Sequence, residues 1–443
     1  MIGRIQIVKT FIISQFAYVT SAICIPEDCV NELNRLIWSF IWKGKRDRLQ
    51  RKIMTRNIEN GGLKAPDIRT ILKVAKVKWV LKYISNNYHM WKSSFEWFLK
   101  EAGLEAKILL RSNFDLKKLD MKELPSFYMD VLDVWSQIGN TTARKENVLW
   151  YNKNITINGR SVYYKSFEEL GVHFIDDLFF EDGKHIPFEN WVAKGLSRTS
   201  FLVWYSLVKV TGRVMTTQFR RNILGDGDDR LMIQTHKGMI EINKYRTQLV
   251  YETLLAKNGG NDSIAPRVSS LLLDQNILWA EIFKRVFTLS IDVKTREFQY
   301  KFLHDLLPTN YWLHKWKIRD SDQCTFCHAS SQTLEHLFFS CEYVIRFWQA
   351  IQQWYSQIEL VAIDKEMVFL GSDDALLHTV IMTAKRYIFV VNCTENVVNC
   401  TEGVPVFRAF INNLLQIKSF EMYSVGHHGK YMEKWAKLEE IVQ

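Results

Sequence analysis

The sequence predicts a mainly α, multi-part helical protein with a small β element in the middle and a zinc-pinned helical module near the C-terminus. Three observations indicate this. Apolar residues recur at helical spacing along most of the 443 residues. A possible strand pair occupies 148–164 and turns at Asn158-Gly159, a dipeptide typical of tight hairpins. Finally, three of the seven cysteines lie within residues 324–341, together with a histidine.

The N-terminal part, residues 1–90, is predicted to be helical and basic. A helix is expected over 26–44, because Pro26 and two acids open it and apolar residues follow on one stripe. Residues 43–56 carry seven basic side chains against one acid. A turn is expected at 60–67, and helical periodicity resumes over 68–84.

The rest of the chain divides into three further predicted parts. Residues 91–270 are expected to form a helical linker region that contains the small β element. Residues 271–358 surround the cysteine cluster, and 359–443 are expected to form a C-terminal helical region with a loop near 392–405. The helices predicted around the cluster span 270–288, 293–306, 333–340 and 342–357.

The composition is that of an ordinary globular protein with a moderate basic excess. Hydrophobic residues make up 47% and charged residues 24%, and the net charge is +10. A basic excess suits an anionic partner such as nucleic acid. Since the other four cysteines are scattered, we expect an intracellular, reducing location, either the nucleus or the cytoplasm.

The apolar run 11–26 is the one segment that resembles a secretory signal peptide, and this remains an alternative. Gln15, Tyr18 and Thr20 interrupt the run. No stretch reaches the roughly 18 consecutive apolar residues of a membrane span. We therefore expect no membrane partner.

The cysteine–histidine cluster has the spacing of a zinc site. Two residues separate Cys324 from Cys327, eight separate Cys327 from His336, and four separate His336 from Cys341. Three thiolates and one imidazole suit tetrahedral Zn²⁺, and four protein ligands leave no position for a catalytic water. The zinc is therefore expected to be structural. His328 is the alternative fourth ligand, and a chance grouping of buried residues is the alternative to a metal site.

Aromatic and aliphatic residues follow the cluster at helical intervals. We interpret Phe347, Trp348, Ile351 and Trp354 as the core of the zinc-pinned module. A platform on which nucleic-acid bases stack is the alternative interpretation of these aromatic residues.

A basic segment follows the first long predicted helix and is the candidate nucleic-acid-binding surface. Few acids interrupt it, so it is expected to contact the phosphates of RNA or an RNA–DNA hybrid without reading sequence. A solvated face without a partner is the alternative. Trp38 and Trp42, just before the segment, are expected to be buried. The candidate residues are Lys43, Lys45, Arg46, Arg48, Arg51, Lys52 and Arg56.

Residues 298–351 resemble the reverse-transcriptase zinc-binding module near the C-terminus of non-LTR (LINE-type) retrotransposon polyproteins. The matching pieces are Leu307-Pro308-Thr309, the cysteine pair, residues 333–341 and Phe347-Trp348. Separately, residues 3–26, 36–54 and 59–68 are similar to the segment that follows the polymerase palm and forms the thumb. The resemblance implies a thumb-like part at 1–90 and a reverse-transcriptase zinc-binding domain at 271–358.

The resemblance also implies a C-terminal fragment of an RNA-directed DNA polymerase that lacks the catalytic palm and is not itself an enzyme. We therefore assign no catalytic residues. Phe174-Ile175-Asp176-Asp177 has the order of the polymerase carboxylate motif, but no matching upstream strand accompanies it. We interpret Asp176 and Asp177 as an acidic pair in a loop.

Three functions follow as hypotheses. The first is a nucleic-acid-binding fragment of a retrotransposon reverse transcriptase, with element RNA or an RNA–DNA hybrid as partner and the rest of the polyprotein as a second partner. The second is a zinc-stabilised protein-interaction scaffold derived from a retroelement. The third is an active polymerase.

Overall fold

The computed structural model describes residues 1–85, 89–119, 123–138, 140–142, 148–214, 231–241, 244–257, 266–272, 276–288, 292–394, 405–425 and 433–438. Helices dominate this part of the chain and the strands are short, which confirms the mainly α prediction. No helix within these ranges is long and apolar enough to cross a membrane.

The helices before residue 260 are α1 (Ile2–Ile7), α2 (Ile13–Ala22), α3 (Glu27–Trp42), α4 (Arg51–Met54), α5 (Ile68–Ile84), α6 (Met90–Glu101), α7 (Ala106–Leu109), α8 (Ser126–Ile138), α9 (Lys165–Glu168), α10 (Phe188–Ala193), α11 (Phe201–Val214) and α12 (Thr247–Lys257). A π-helical turn at Val8–Ile12 joins α1 to α2. The expected helices at 26–44 and 68–84 are thus α3 and α5.

The later helices are α13 (Trp279–Thr288), α14 (Val293–Leu303), α15 (Asn310–Lys315), α16 (Glu342–Tyr355), α17 (Lys365–Leu370), α18 (Ala375–Thr394), α19 (Phe407–Val425) and α20 (433–438). The helix predicted over 270–288 is shorter than expected, because residues 267–271 form a 3₁₀ turn instead. Residues 336–340 form a π-helical turn inside the predicted 333–340 helix. The predicted loop near 392–405 lies largely outside the described residues.

Residues at both ends of α3 and at the start of α5 explain why the sequence predicts these two helices. Glu27 and Asp28 lie in the first turn of α3, where the helix dipole favours acids. The helix stops at Trp42 because Lys43 and Gly44 adopt φ values of 59° and 73°. At the start of α5, the Asp67 carboxylate accepts a hydrogen bond from the Thr70 N–H at 3.0 Å.

The predicted hairpin is present, and a second sheet is not predicted by the sequence. Strand β2 (Thr156–Ile157) pairs antiparallel with β3 (Arg160–Ser161) across Asn158-Gly159, with φ of 51° and 77°. Positive φ at both central residues is typical of a type I′ turn. The second sheet has the order β1-β4-β5, in which β4 (Leu231–Thr235) pairs antiparallel with β1 (Asn140–Thr142) and β5 (Gly238–Glu241).

The chain forms two compact units. The first unit consists of Met1–Lys9, Leu36–Pro66 and Gly260–Gln443, and the second consists of Thr10–Arg35 and Asp67–Gly259. The boundaries of the four predicted parts stay a prediction. Within the first unit, residues 58–60 of the predicted N-terminal part pack against α13, and α1 packs against α14.

Each unit has its own apolar core. In the second unit, α5 packs against α2, α8 and α12, and Trp135, Trp150 and Trp191 are fully buried. In the first unit, α18 packs against α14 and α19, and α16 packs against α19 and the π-helical turn at His336–Ser340. Cys324 and Cys341 belong to the apolar core of the first unit, so this core positions the cysteine cluster.

Candidate metal centre

The four predicted ligands converge. One ligand atom from each of Cys324, Cys327, His336 and Cys341 lies within 4.8 Å of all the others. The Cys327 Sγ is 3.3 Å from His336 Nε2, and the sulfurs of Cys324 and Cys341 are 4.0 Å apart. A tetrahedral zinc ion with its usual bond lengths spaces its ligand atoms roughly 3.5 to 4 Å apart. The donor atoms are therefore close to the spacing that one zinc ion requires.

The loop that carries the first two cysteines is built from backbone hydrogen bonds. The Cys324 N–H donates to the Ser330 carbonyl at 2.8 Å, and the His328 N–H donates to the Cys324 carbonyl at 2.9 Å. The Phe326 N–H points to the Cys324 sulfur at 3.4 Å. His328 has a φ of 55° and closes this turn with an exposed side chain. His336, and not the alternative His328, is the fourth member of the cluster.

A π-helical turn supplies the other two ligands. His336 begins the turn and Cys341 follows its end, where the Cys341 N–H donates to the His336 carbonyl at 3.0 Å. Such five-residue turns are rare and frequently occur at functional sites. The Thr333 hydroxyl accepts a hydrogen bond from the His336 N–H at 3.1 Å and fixes the start of the turn. The wider turn brings the imidazole and the thiol to the same side.

The electrostatics of the cluster favour a thiolate at Cys324 and a protonated thiol at Cys341. The hydrogen bond between the Cys324 and Cys341 sulfurs lowers the pKa of Cys324, and the backbone N–H groups of Cys327 and Phe326 lower it further. The same hydrogen bond raises the pKa of Cys341. Cys324 therefore carries the charge that metal ligation needs, and ligation of Cys341 would release a proton.

Gln332 is a supporting residue that sequence reasoning missed. Its side chain is fully buried, and its amide nitrogen lies 3.9 Å from the Cys324 sulfur and 2.8 Å from the Asn392 Oδ1. The same nitrogen donates to the Thr325 hydroxyl at 2.9 Å, and the Gln332 side-chain oxygen Oε1 accepts from the Asn310 backbone N–H at 3.0 Å. One amide thus connects the cysteine loop to the start of α15 and the end of α18.

The aromatic residues after the cluster belong mostly to the core. Phe347, Trp348 and Ile351 are buried, and Trp354 is half-buried. The Trp348 indole N–H donates to the Phe338 carbonyl at 2.9 Å, within the π-helical turn. This confirms the core interpretation for the three buried side chains, which cannot stack on bases in this arrangement.

The basic segment is exposed with one exception. Lys43, Lys45, Arg46, Arg48, Arg51 and Lys52 all have exposed side chains, whereas Arg56 is only 2% exposed. The segment lies in the first unit, as does the cysteine cluster. Trp38 and Trp42 are buried as predicted, and the Arg51 guanidinium lies over the Trp38 ring. The structure therefore presents six of the seven candidate residues to solvent.

The acidic pair at 176–177 lies in the second unit, in a 3₁₀ turn formed by Ile175–Leu178. The Asp177 carboxylate accepts hydrogen bonds from the N–H groups of His173 and Phe174, both at 2.7 Å. A carboxylate in this position caps the turn, which is the role expected of an acidic loop residue.

The sequence comparison agrees with the geometry of the cluster. Residues 268–348 match the family of domains described as zinc-binding in reverse transcriptase. The match includes all four converging side chains, the buried Gln332 and the π-helical turn. The donor set has the soft sulfur and borderline nitrogen character that zinc prefers, and no fifth position is open for chemistry. Residues 268–348 are thus a reverse-transcriptase zinc-binding domain, and its Cys324, Cys327, His336 and Cys341 cluster fits a structural zinc ion.

Proposed function

We propose that the chain is a C-terminal part of a LINE-type retrotransposon reverse transcriptase that binds nucleic acid through its basic segment. Element RNA or an RNA–DNA hybrid is the proposed partner. The zinc ion is proposed to organise the fold of the first unit, and polymerisation is assigned to a part of the polyprotein other than this chain. The observation that carries the proposal is the exposure of six basic side chains in the same compact unit as a reverse-transcriptase zinc-binding domain.

The charge pattern of the segment supports phosphate binding. Asp47 is the one acid between residues 43 and 52, and its carboxylate pairs with Arg51 at 2.6 Å. Lys43, Lys45 and Arg48 have no ion-pair partner in the described part of the chain. Unpaired, exposed cations release counterions when they meet phosphates, so they contribute to affinity without reading sequence.

Salt dependence tests this proposal. The affinity of the full chain for a labelled RNA–DNA hybrid should fall steeply as salt rises, with a log–log slope of roughly 0.7 to 0.9 per phosphate contact. Replacement of Lys43, Lys45 and Arg48 by alanine should reduce the slope by about two to three. The matched control replaces Lys165, Lys184 and Lys237, which are exposed and paired with acids. Equal effects of the two triple variants, or an affinity that salt does not change, would contradict the proposal.

An exposed apolar face supports the scaffold alternative. Phe201, Leu202 and Tyr205 on α11 are 46%, 73% and 47% exposed. Apolar patches of this kind commonly bind proteins. A partner complex that survives nuclease treatment and that Leu202→Glu disrupts would favour a scaffold over nucleic-acid binding.

A further inference from the structure

The first unit contains a groove of about 610 Å³ that is lined by Met1 and by three further segments. One wall is the end of α3 with the following turn, a second is α14 with residues 306–308, and a third is the end of α18. The volume lies within the roughly 300 to 1,000 Å³ of typical small-ligand sites. The groove is therefore large enough for a nucleobase with its sugar.

The sides of the groove are basic. Lys43, Lys45 and Arg48 line it from the basic segment, and Lys294, Lys301 and Arg386 line it from the helices. Glu297 is the one acid among its lining residues, and its carboxylate pairs with the Lys301 ammonium at 2.6 Å and with the Met1 ammonium at 2.5 Å. Arg386 pairs with Asp292 at 2.8 Å. The remaining four cations have no ion-pair partner among the described residues, so the groove attracts anions.

The floor of the groove is apolar and partly aromatic. Phe298 and Leu307 are buried beneath it, and Phe389 is half-buried. Trp42 also lines the groove, and its indole N–H has no hydrogen-bond partner in the described structure. Aromatic rings below a ring of cations are the combination that binds single-stranded nucleic acid, since bases stack while phosphates stay outside.

We infer that this groove binds an unpaired nucleotide of a single strand, with the base on the half-buried Phe389 ring and the flanking phosphates on the lysines and arginines. A duplex keeps its bases stacked and paired and presents its backbone outward, so it cannot place a base on this floor. The inference rests on the proposed nucleic-acid function and assigns the basic segment a second task, which is to guide a single strand into the groove.

Narrowing the groove without a change of charge tests the inference. Val293 and Val390 line the groove and are 45% and 47% exposed, so methionine at both positions should fill space without disturbing the core. The control double variant is Leu278→Met with Leu360→Met, at exposed positions that do not line the groove. Affinities of the full chain for a twelve-nucleotide polyuridine strand and for a duplex of equal length are measured by fluorescence anisotropy.

We expect Val293→Met with Val390→Met to weaken single-strand binding at least fivefold, and to leave duplex binding and the control variant unchanged. A tenfold change in affinity corresponds to about 1.4 kcal/mol, so a fivefold loss corresponds to about 1 kcal/mol. Unchanged single-strand binding, or an equal loss for strand and duplex, would overturn the groove assignment and leave the basic segment as a binding surface. No binding of either probe by the wild-type chain would instead overturn the proposed function.

Photocrosslinking gives an independent, site-specific result. A strand that carries 5-iodouracil should crosslink to the half-buried aromatic residue of the groove, so mass spectrometry should find adducts at Phe389. Adducts confined to peptides outside the groove would overturn the assignment even if the affinity changes were as expected.

Discussion

The His304 imidazole Nε2 lies 3.0 Å from the Gly61 carbonyl oxygen, although 243 positions separate the two residues in the chain. The Tyr300 hydroxyl donates to the same carbonyl at 3.2 Å. His304 follows the last residue of α14 in the zinc-binding domain, and Gly61 lies in the turn after the basic segment. The turn at Gly61 and the zinc-binding domain are therefore joined by buried hydrogen bonds in the first unit.

The Gly61-Gly62 turn has little room for side chains, which gives the first prediction. A Cβ on Gly62 would lie 2.1 Å from the Arg56 carbonyl oxygen, which is backbone and cannot move aside cheaply. Gly62→Ala should therefore destabilise the protein by about 1 to 3 kcal/mol in urea unfolding. The control is Gly3→Ala, since nothing lies within 4 Å of a Cβ there. Equal stability of the two variants would show that the turn is not constrained.

Zinc content is the second prediction. Purified protein should bind one zinc ion per chain by elemental analysis, and Cys341→Ser should lose it, because a serine hydroxyl is a poor substitute for a soft thiolate. The variant should also lose cooperative unfolding of residues 298–355, since a structural metal contributes directly to folding. Cys29→Ser changes an exposed cysteine outside the cluster and should retain the ion. A zinc-free wild-type protein with four freely reactive groups would refute the site.

The third prediction concerns Gln332, whose amide holds the cysteine loop against α15 and α18. Gln332→Ala should reduce zinc affinity about 10- to 100-fold, which is the typical effect of losing a group that orients metal ligands. Competition with a chromogenic chelator measures the affinity. Gln353→Ala, at an exposed position on α16, should have no effect. If both variants bound zinc as tightly as wild type, Gln332 would have only a packing role.

The sequence predicted some of these features because their signals are local. The cysteine and histidine spacing identified all four ligands, and Asn158-Gly159 identified the hairpin, since each pattern lies within a short stretch. Gln332 gave no such signal, because a glutamine usually lies at the surface and only its tertiary neighbours bury it. The β1-β4-β5 sheet was missed for a similar reason. Its register joins Asn140 to Ile233, and no local pattern records so distant a pairing.

The burial of Arg56 in the basic segment is also a feature that the local sequence pattern does not predict. A run of basic residues predicts solvent exposure, and six of its members are exposed. The backbone at Arg56 instead accepts a hydrogen bond from the Lys64 N–H at 2.8 Å, and Gly62 packs against its carbonyl. Its position in the turn, and not its charge, decides its burial, so it is left out of the proposed nucleic-acid surface.

The buried His304 gives the last prediction, which concerns pH. Burial lowers its pKa to about 4 from a usual 6.5, so the ring is neutral near pH 7 and donates Nε2–H to Gly61. Because the folded pKa is below the unfolded one, the unfolded chain binds more protons between these values. Stability from this group is complete above about pH 6.5 and falls by up to about 1.4 kcal/mol per unit as the pH decreases towards 4.

Comparison of His304→Gln with the wild type isolates this contribution, since other acid-sensitive groups, including the zinc ligands, are common to both proteins. The wild type should be more stable at pH 7.5, where the histidine hydrogen bond is intact. The difference in free energy of unfolding should then shrink as the pH falls below 6.5, because only the wild type must keep an imidazole neutral in the folded state. His173→Gln, at an exposed position, is the control for replacement of a histidine by glutamine. A constant difference for His304→Gln would mean that folding does not lower the pKa of His304, and a difference that grows as the pH falls would mean that the imidazole is protonated in the fold and its contact with Gly61 is charge-assisted.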